Sequence, residues 1–356
     1  MEPGVAFRAS KTKMSKDSPS PAVRKRPSRW FKVTVLVLLI GANLMAGAAL
    51  WAVRAGQNIL SGAKADRTVT EFLDTPVGKD LTFLLVGSDS RAGLDDLTNF
   101  GNFGGERADV IMLVRVDGDT SGIHMLSIPR DLWVKIPGHS DQRINASYAL
   151  GGSAKLVETI RSNLEVEINH YVEIDFVGFI GLIDELGGIQ LSFAYPARDS
   201  DSGLRVDAGT QTVDGKTALA YARSRKYQEY REGRWVSVEA NDVGRTTRQQ
   251  EVMRAMFSKL KSPSSLADAN SITSTLARHM KIDSRLAGSS VASLAWDLRG
   301  VLTGSIEGST LPVSGRMMGS ASVVVMKEPE ASQMLAKFRA GRALAEQPAR
   351  VDADAN

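Results

Sequence analysis

Two aspartates and a group of arginines are the residues whose types and spacing suit chemistry. Asp89 directly follows Val86-Gly87-Ser88, and Asp109 sits in Arg107-Ala108-Asp109 ahead of an apolar run. Carboxylates converging at strand ends could hold Mg²⁺, or Mn²⁺ in its place. Such a hard cation takes one or two carboxylates and completes its shell with phosphate oxygens. An aspartate beside a strand is also a common turn or cap residue, so neither position decides alone.

Arg245, Arg248 and Gln249 stand at i, i+3 and i+4 of a helix expected over 243–260, so they share one face. That face continues through Val252, Met256 and Leu260, which puts the arginines at the head of a core-facing stripe. A buried cation needs an anion, and a helix N-terminus adds N–H donors of its own. A structural ion pair would account for one arginine. Two arginines with a glutamine suit a phosphate better. Arg223 and Arg225 would point the same way if their segment were extended. Arg130 and Asp131 follow Ser127-Ile128-Pro129 at the end of another apolar run. Guanidinium groups grip phosphate by two N–H edges at once, so arginines gathered near strand ends fit a polyphosphate pocket.

Several alternatives lack their residues. Cysteine is absent, which removes thiolate chemistry and disulfides. The four histidines, at 124, 139, 170 and 279, form no HExxH pattern. There is no GxSxG elbow and no GxxxxGK phosphate loop, which argues against a serine triad, a zinc hydrolase or a nucleotide-binding loop.

The elements that must position these groups read as an α/β fold. Leu81–Gly87 is a buried strand, and Val110–Val116 and Gly122–Ile128 make a hairpin across the Asp117-Gly118-Asp119 turn. Helices are expected at 153–164, 177–186 and 216–223, with strands at 171–176 and 189–193. Further helices are expected beyond Pro263, then a strand at 322–326 and a last helix at 328–339. Mixed strands and helices with an early hairpin predict an α-β-α sandwich around a central mixed sheet.

Charge and hydropathy place this domain. Residues 1–32 carry nine basic side chains against Glu2 and Asp17, a balance of +7 that leaves −3 for the rest of a chain totalling +4. The basic character belongs to the tail, so no nucleic-acid partner is indicated. Val33–Val53 then runs 21 residues without a charge, enough to span a bilayer core of roughly 30 Å as a helix. Lys and Arg crowd its amino-terminal side, with Trp30 and Trp51 near its ends, which predicts a cytoplasmic amino terminus and an outside domain. A cleaved signal peptide competes, but the run and its leader are long for one. The expected organisation is a disordered tail at 1–32, a transmembrane helix at 33–53, a connector at 54–79, a catalytic domain at 80–340 and a loose tail at 341–356.

Seven segments in order resemble the LytR-CpsA-Psr family. They are Leu84–Arg91, Arg107–Leu113, Ser127–Asp131, Arg143–Tyr148, Gly151-Gly152, Ala220–Arg225 and Gly244–Gln250. The resemblance implies a hydrophobic groove for a polyprenyl chain, and Mg²⁺-dependent transfer of a phosphoglycosyl polymer from polyprenyl pyrophosphate to peptidoglycan. By the same resemblance Asp89 and Asp109 ligate the metal. Arg107, Arg130, Arg223, Arg225, Arg245, Arg248 and Gln249 hold the pyrophosphate, and Asp109 or Asp131 serves as base. Chemistry of this kind rests on positioning and charge neutralisation, so it needs no protein nucleophile. Ala108, Val110 and Arg143 depart from residues common in the family, and the segments 92–106 and 226–241 are long. Three other functions use the same features: a wall-glycopolymer binding protein without catalysis, a lipid pyrophosphatase, and a transcription regulator. No recognition-helix pattern supports the last.

Overall fold

Side chains alternate across Leu81–Ser88, so Leu84 and Val86 enter one core while Phe83 and Leu85 face another. A strand buried on both faces must lie inside a sheet covered on both sides. The computed structural model describes residues 57, 61–88, 108–118, 122–260, 278–290 and 306–341. All of these belong to one unit, Leu50–Asn356. The basic tail, the uncharged run 33–53, Asp89, the loop 92–106, Arg107 and residues 342–356 lie outside the described residues.

Strand β1 (Lys64–Asp66) and the one-turn helix α1 (Arg67–Thr70) come first. β2 (Leu81–Ser88), β3 (Ala108–Val116) and β4 (Ile123–Ser127) form an antiparallel meander. The small pair β5 (Trp133–Lys135) and β6 (Asp141–Arg143) leads into helix α2 (Ile144–Leu164). β7 (His170–Asp175), helix α3 (Phe176–Glu185) and β8 (Ile189–Phe193) follow. Next are β9 (Ala197–Asp199), β10 (Leu204–Val206), β11 (Gly209–Val213) and helix α4 (Gly215–Arg223). The hairpin β12 (Gln228–Arg231) and β13 (Arg234–Ser237) precedes the long helix α5 (Asp242–Leu260). The last described elements are β14 (Met280–Asp283), α6 (Ser284–Ala287), β15 (Ile306–Thr310), the hairpin β16 (Val313–Met318) and β17 (Ala321–Met326), and α7 (Glu330–Arg339).

The main sheet has the order β1-β14-β7-β2-β3-β4-β15 and is mixed. β2 runs parallel to β7 and antiparallel to β3. One face is covered by α2 and α7, through Leu156, Ile160, Leu335 and Phe338. The other is covered by α5, whose Met253 and Phe257 meet Met112, Val114 and Met125. The helices α3 and α4 pack with α5 in an adjoining core. The architecture is the expected α-β-α arrangement around a mixed sheet.

Three features differ from the sequence reading. The segment read as a connector contributes β1, which pairs in parallel with β14, so the described fold starts before Asp80. Helix α2 begins at Ile144 rather than Ser153, because two helical pieces meet across Gly151 and Gly152. The second of these adopts φ 64°, ψ −154°, which glycine takes without strain. β14 and β15 lie in the region read as helical. Each is only four or five residues long, and a charged or small residue breaks its alternation. Among the described residues no helix is long and apolar enough to cross a membrane.

Candidate active site

The described candidate residues, which do not include Asp89 and Arg107, gather at one end of the main sheet. Ser88 closes β2, paired with Ala108 on one side and Asp175 on the other, with a bulge between Gly87 and Ser88. Bulges re-aim side chains, and this one falls at the last described residues of β2. Asp109 opens β3, and its carboxylate accepts a hydrogen bond from Arg130 Nη1. Arg130 is near because β4 runs antiparallel to β3 and delivers the Ser127–Asp131 segment to the same edge.

Asp131 is the hub of the visible charges. Its oxygens lie 3.6 Å from Arg130 Nε, 3.5 Å from Arg143 Nε and 3.5 Å from Arg225 Nη2. The side chains of Arg130 and Asp131 are mostly covered, at 17% exposure each, while Arg225 keeps 40%. Three guanidinium groups around one carboxylate leave a positive surplus, the condition for receiving an anion. The hairpin β16–β17 supports this corner: Val324 N donates to the Asp131 carbonyl at 3.1 Å, and Arg143 Nη2 donates to the Ser322 carbonyl at 3.0 Å.

Helix α5 supplies the buried side of the cluster. Arg245, Arg248 and Gln249 are 4%, 0% and 6% exposed, so the i, i+3, i+4 reading of an inward face holds. Arg248 Nη2 donates to the Ser224 carbonyl at 2.7 Å, and its guanidinium stacks 4.9 Å from the Tyr227 ring. Gln249 Nε2 donates to the Ala222 carbonyl at 3.3 Å. Thus α5 grips the chain on both sides of Arg223, and Arg225 follows directly.

Arg223 corrects one expectation. It occupies the last turn of α4, with its guanidinium 4.9 Å over the Phe176 ring, so it does not share an extended segment with Arg225. The helix persists to Arg223 because Asp214 caps its start through Thr217 N and its small residues pack closely.

Asp199, which the sequence reading passed over, anchors Arg225. It is 1% exposed and accepts from Ser224 Oγ at 2.5 Å, Arg225 N at 2.8 Å and Lys226 N at 2.7 Å. Burial pushes its carboxyl upward, but the hydrogen bonds from Ser224, Lys226, Asp201 and Ser202 outweigh this and hold it below the usual aspartate range. Gln250 closes the segment Gly244–Gln250, but the sequence reading assigns it no role of its own. It joins α5 to two strand ends, donating to Ser127 Oγ at 3.0 Å and Thr310 Oγ1 at 3.2 Å. A lone Asp in a three-residue strand carries no sequence signal for this role.

Beside the charged cluster lies an apolar cavity of about 370 Å³ between the sheet and α5. Leu85, Met112, Val252 and Met256 line its depth, while Gly87 and Gln249 belong to its wall as well as to the site's own segments. Chemically, the arrangement joins a guanidinium-rich corner to an apolar pocket. Asp109 offers the hard oxygen donors that Mg²⁺ takes. Among the described residues no group of three or more His, Cys, Asp or Glu is gathered.

The LytR_cpsA_psr family model matches residues 52–340. The chain belongs to the LytR-CpsA-Psr family. Among LytR-CpsA-Psr relatives, the probable cell wall biosynthesis protein LcpB of Corynebacterium glutamicum is 35% identical over 189 residues. That match spans 52% of this chain but only 43% of LcpB. The polyisoprenyl-teichoic acid–peptidoglycan teichoic acid transferase TagU of Halalkalibacterium halodurans is 28% identical over 314 residues, 86% of this chain and 93% of TagU. A solved LytR-Csp2A-Psr enzyme from Actinomyces oris superposes with a TM-score of 0.60 at 27% identity, covering 78% of this chain and 96% of that one.

Proposed function

We propose that this LytR-CpsA-Psr protein is a phosphotransferase that moves a glycopolymer from a polyprenyl-pyrophosphate carrier onto peptidoglycan. The observation that carries this reading is that Gln249 and Ala222, sequence neighbours of Arg248 and Arg223, line the apolar cavity and are hydrogen-bonded to each other. A lipid pyrophosphate likewise joins an apolar part to an anionic one. The names of TagU and of its relatives as teichoic acid transferases support the reaction class.

In this reading the polyprenyl chain lies along Leu85, Met112 and Met256, and Arg130, Arg225, Arg245, Arg248 and Gln249 receive the pyrophosphate, with Arg107 and Arg223 adding to it. A peptidoglycan hydroxyl attacks the phosphorus that carries the glycan. The bond from that phosphorus to the lipid phosphate breaks, and prenyl phosphate leaves with the electron pair. Asp131 and Asp109 are the carboxylates available to take the hydroxyl proton. Asp89 and Asp109 would hold Mg²⁺, or Mn²⁺, which supplies charge neutralisation for phosphoryl transfer. The membrane places the site: the run 33–53 is the single anchor, the amino terminus is cytoplasmic and the catalytic domain lies outside.

Full-length protein in detergent, given a polyprenyl-pyrophosphate glycan and a peptidoglycan fragment, should attach glycan to the fragment in a Mg²⁺-dependent way. Asp109→Asn should abolish attachment. Release of lipid phosphate without attachment would replace this reading with hydrolysis. Tight donor binding with no turnover would replace it with a binding protein. A reporter fused after residue 60 should read as extracytoplasmic, and a cytoplasmic signal would overturn the topology.

A further inference from the structure

The four-stranded sheet β10-β9-β12-β13 has one face in the core and one toward solvent. Ala197, Leu204 and Val206 turn inward, as does Asp199. By alternation the opposite face carries Arg198, Arg205, Gln228, Tyr230 and Trp235. The register sets them side by side: Arg205 faces Arg198, Gln228 faces Arg198, and Tyr230 faces Trp235.

These side chains form a composite rather than a scatter. The Arg198 guanidinium lies 4.1 Å over the Trp235 ring, and its Nε donates to Gln228 Oε1 at 3.0 Å. The Tyr230 ring lies 5.2 Å from that of Trp235, tilted by 54°, and Tyr230 is 42% exposed. An arginine held over an indole, with its Nε already fixed by Gln228, loses little further freedom when it binds. Aromatic rings at the surface offer flat apolar area at small entropic cost, a match for the C–H faces of sugar rings. Arginine beside them adds selection for phosphate or carboxylate.

We propose that this sheet face binds the anionic glycan portion of the transferred polymer, sugar rings on Tyr230 and Trp235 and acidic groups on Arg198 and Arg205. The proposal rests on the transferase reading and names its substrate class. Continuity with the site supports it. Neighbouring residues of β9 point Arg198 outward and Asp199 inward, and Asp199 holds the backbone from which Arg225 reaches Asp131. Lys226, exposed next to Arg225, lies between the two with its ammonium paired to Asp201 at 2.8 Å. A polymer leaving the pyrophosphate past Arg225 would follow the backbone held by Asp199 to β9, whose outer side carries Arg198 and the aromatic face.

The test measures binding of soluble oligomers to the full-length protein by calorimetry. The probes are a glycerol-phosphate oligomer, a uronic-acid oligosaccharide and a neutral oligosaccharide of equal length. An anionic probe should bind more tightly than the neutral one, and the two anions distinguish phosphate from carboxylate as the preferred group. Arg198→Gln should weaken that binding roughly tenfold, the effect of one charged contact. Tyr230→Ala and Trp235→Ala should do the same. Tyr230 lies exposed on its hairpin, so its variant keeps the fold and stands in should Trp235→Ala melt early. Wild-type affinity in Arg198→Gln and Tyr230→Ala, or equal binding of the neutral probe, overturns the proposal. Glycan binding is read apart from transfer. An enzyme that binds as expected but transfers nothing counts against the transferase reading alone.

Discussion

The carboxylate of Asp199 lies 2.8 Å from the main-chain nitrogen of Arg225, so a residue with no place in the chemistry fixes where a charge in the site begins. The same oxygen accepts from Ser224 Oγ and Lys226 N, which closes the turn after α4 into one conformation. Asp199→Asn replaces an oxygen with a donor and should break that turn. We expect kcat/KM to fall about tenfold to a hundredfold, the scale of a misplaced binding group. Adding Arg225→Ala to Asp199→Asn should cost little more, since both act through the same guanidinium. Full additivity in steady-state kinetics would refute the positioning role.

Arg225→Ala and Arg248→Ala should separate catalysis from stability. Arg225 is partly exposed, so its loss should leave the melting temperature nearly unchanged while turnover falls on the order of a hundredfold. Arg248 is fully buried and donates to the Ser224 carbonyl. Arg248→Ala should therefore also cost roughly 2–4 kcal/mol of folding stability. Denaturant midpoints of the two variants, measured beside their rates, distinguish the outcomes.

Ala222→Phe should narrow the apolar cavity at its junction with the cluster, where Ala222 and Gln249 both line the wall. Turnover of a donor with a long prenyl chain should fall more than turnover of one with a two-isoprene chain. An equal loss on both donors would place the lipid elsewhere.

Asp66 predicts an acid limb in stability. It caps α1 through Thr68 N at 2.9 Å, accepts from Ser153 of α2, and pairs with Lys281 of β14 at 3.1 Å. Burial raises its carboxyl, but the hydrogen bonds from Ser153 and Thr68 and the charge of Lys281 prevail and lower it to about 2. The folded value lies below the unfolded one of about 3.9. Its contribution is therefore complete above about pH 4 and is lost as pH falls toward 2. Urea midpoints of wild type between pH 2 and 6 should fall more steeply than those of Asp66→Asn.

The sequence was most informative where one pattern decided one element. The run at Leu81–Gly87, apolar but for Thr82, and the stripe from Arg245 to Met256 could only be covered on both sides or turned inward, and they are. Less could be read where long-range pairing makes the structure. β14 and β15 gain their strand conformation from β7 and β4, far away in sequence, and hold too few residues to show a period. Arg223 was misread because the helical pattern before it and the extended pattern after it overlap at Ala222-Arg223-Ser224. Asp199 was invisible because its partners are backbone N–H groups, which every residue has.

Four methionines, Met112, Met253, Met256 and Met280, stand among the residues around the apolar cavity. Thioether side chains are unbranched and soft, so a wall made of them can reshape around apolar groups of different shape. The same wall is chemically vulnerable. An oxidant that converted one of these sulfurs to its sulfoxide would plant a polar S=O group in an otherwise apolar wall while leaving every arginine in place.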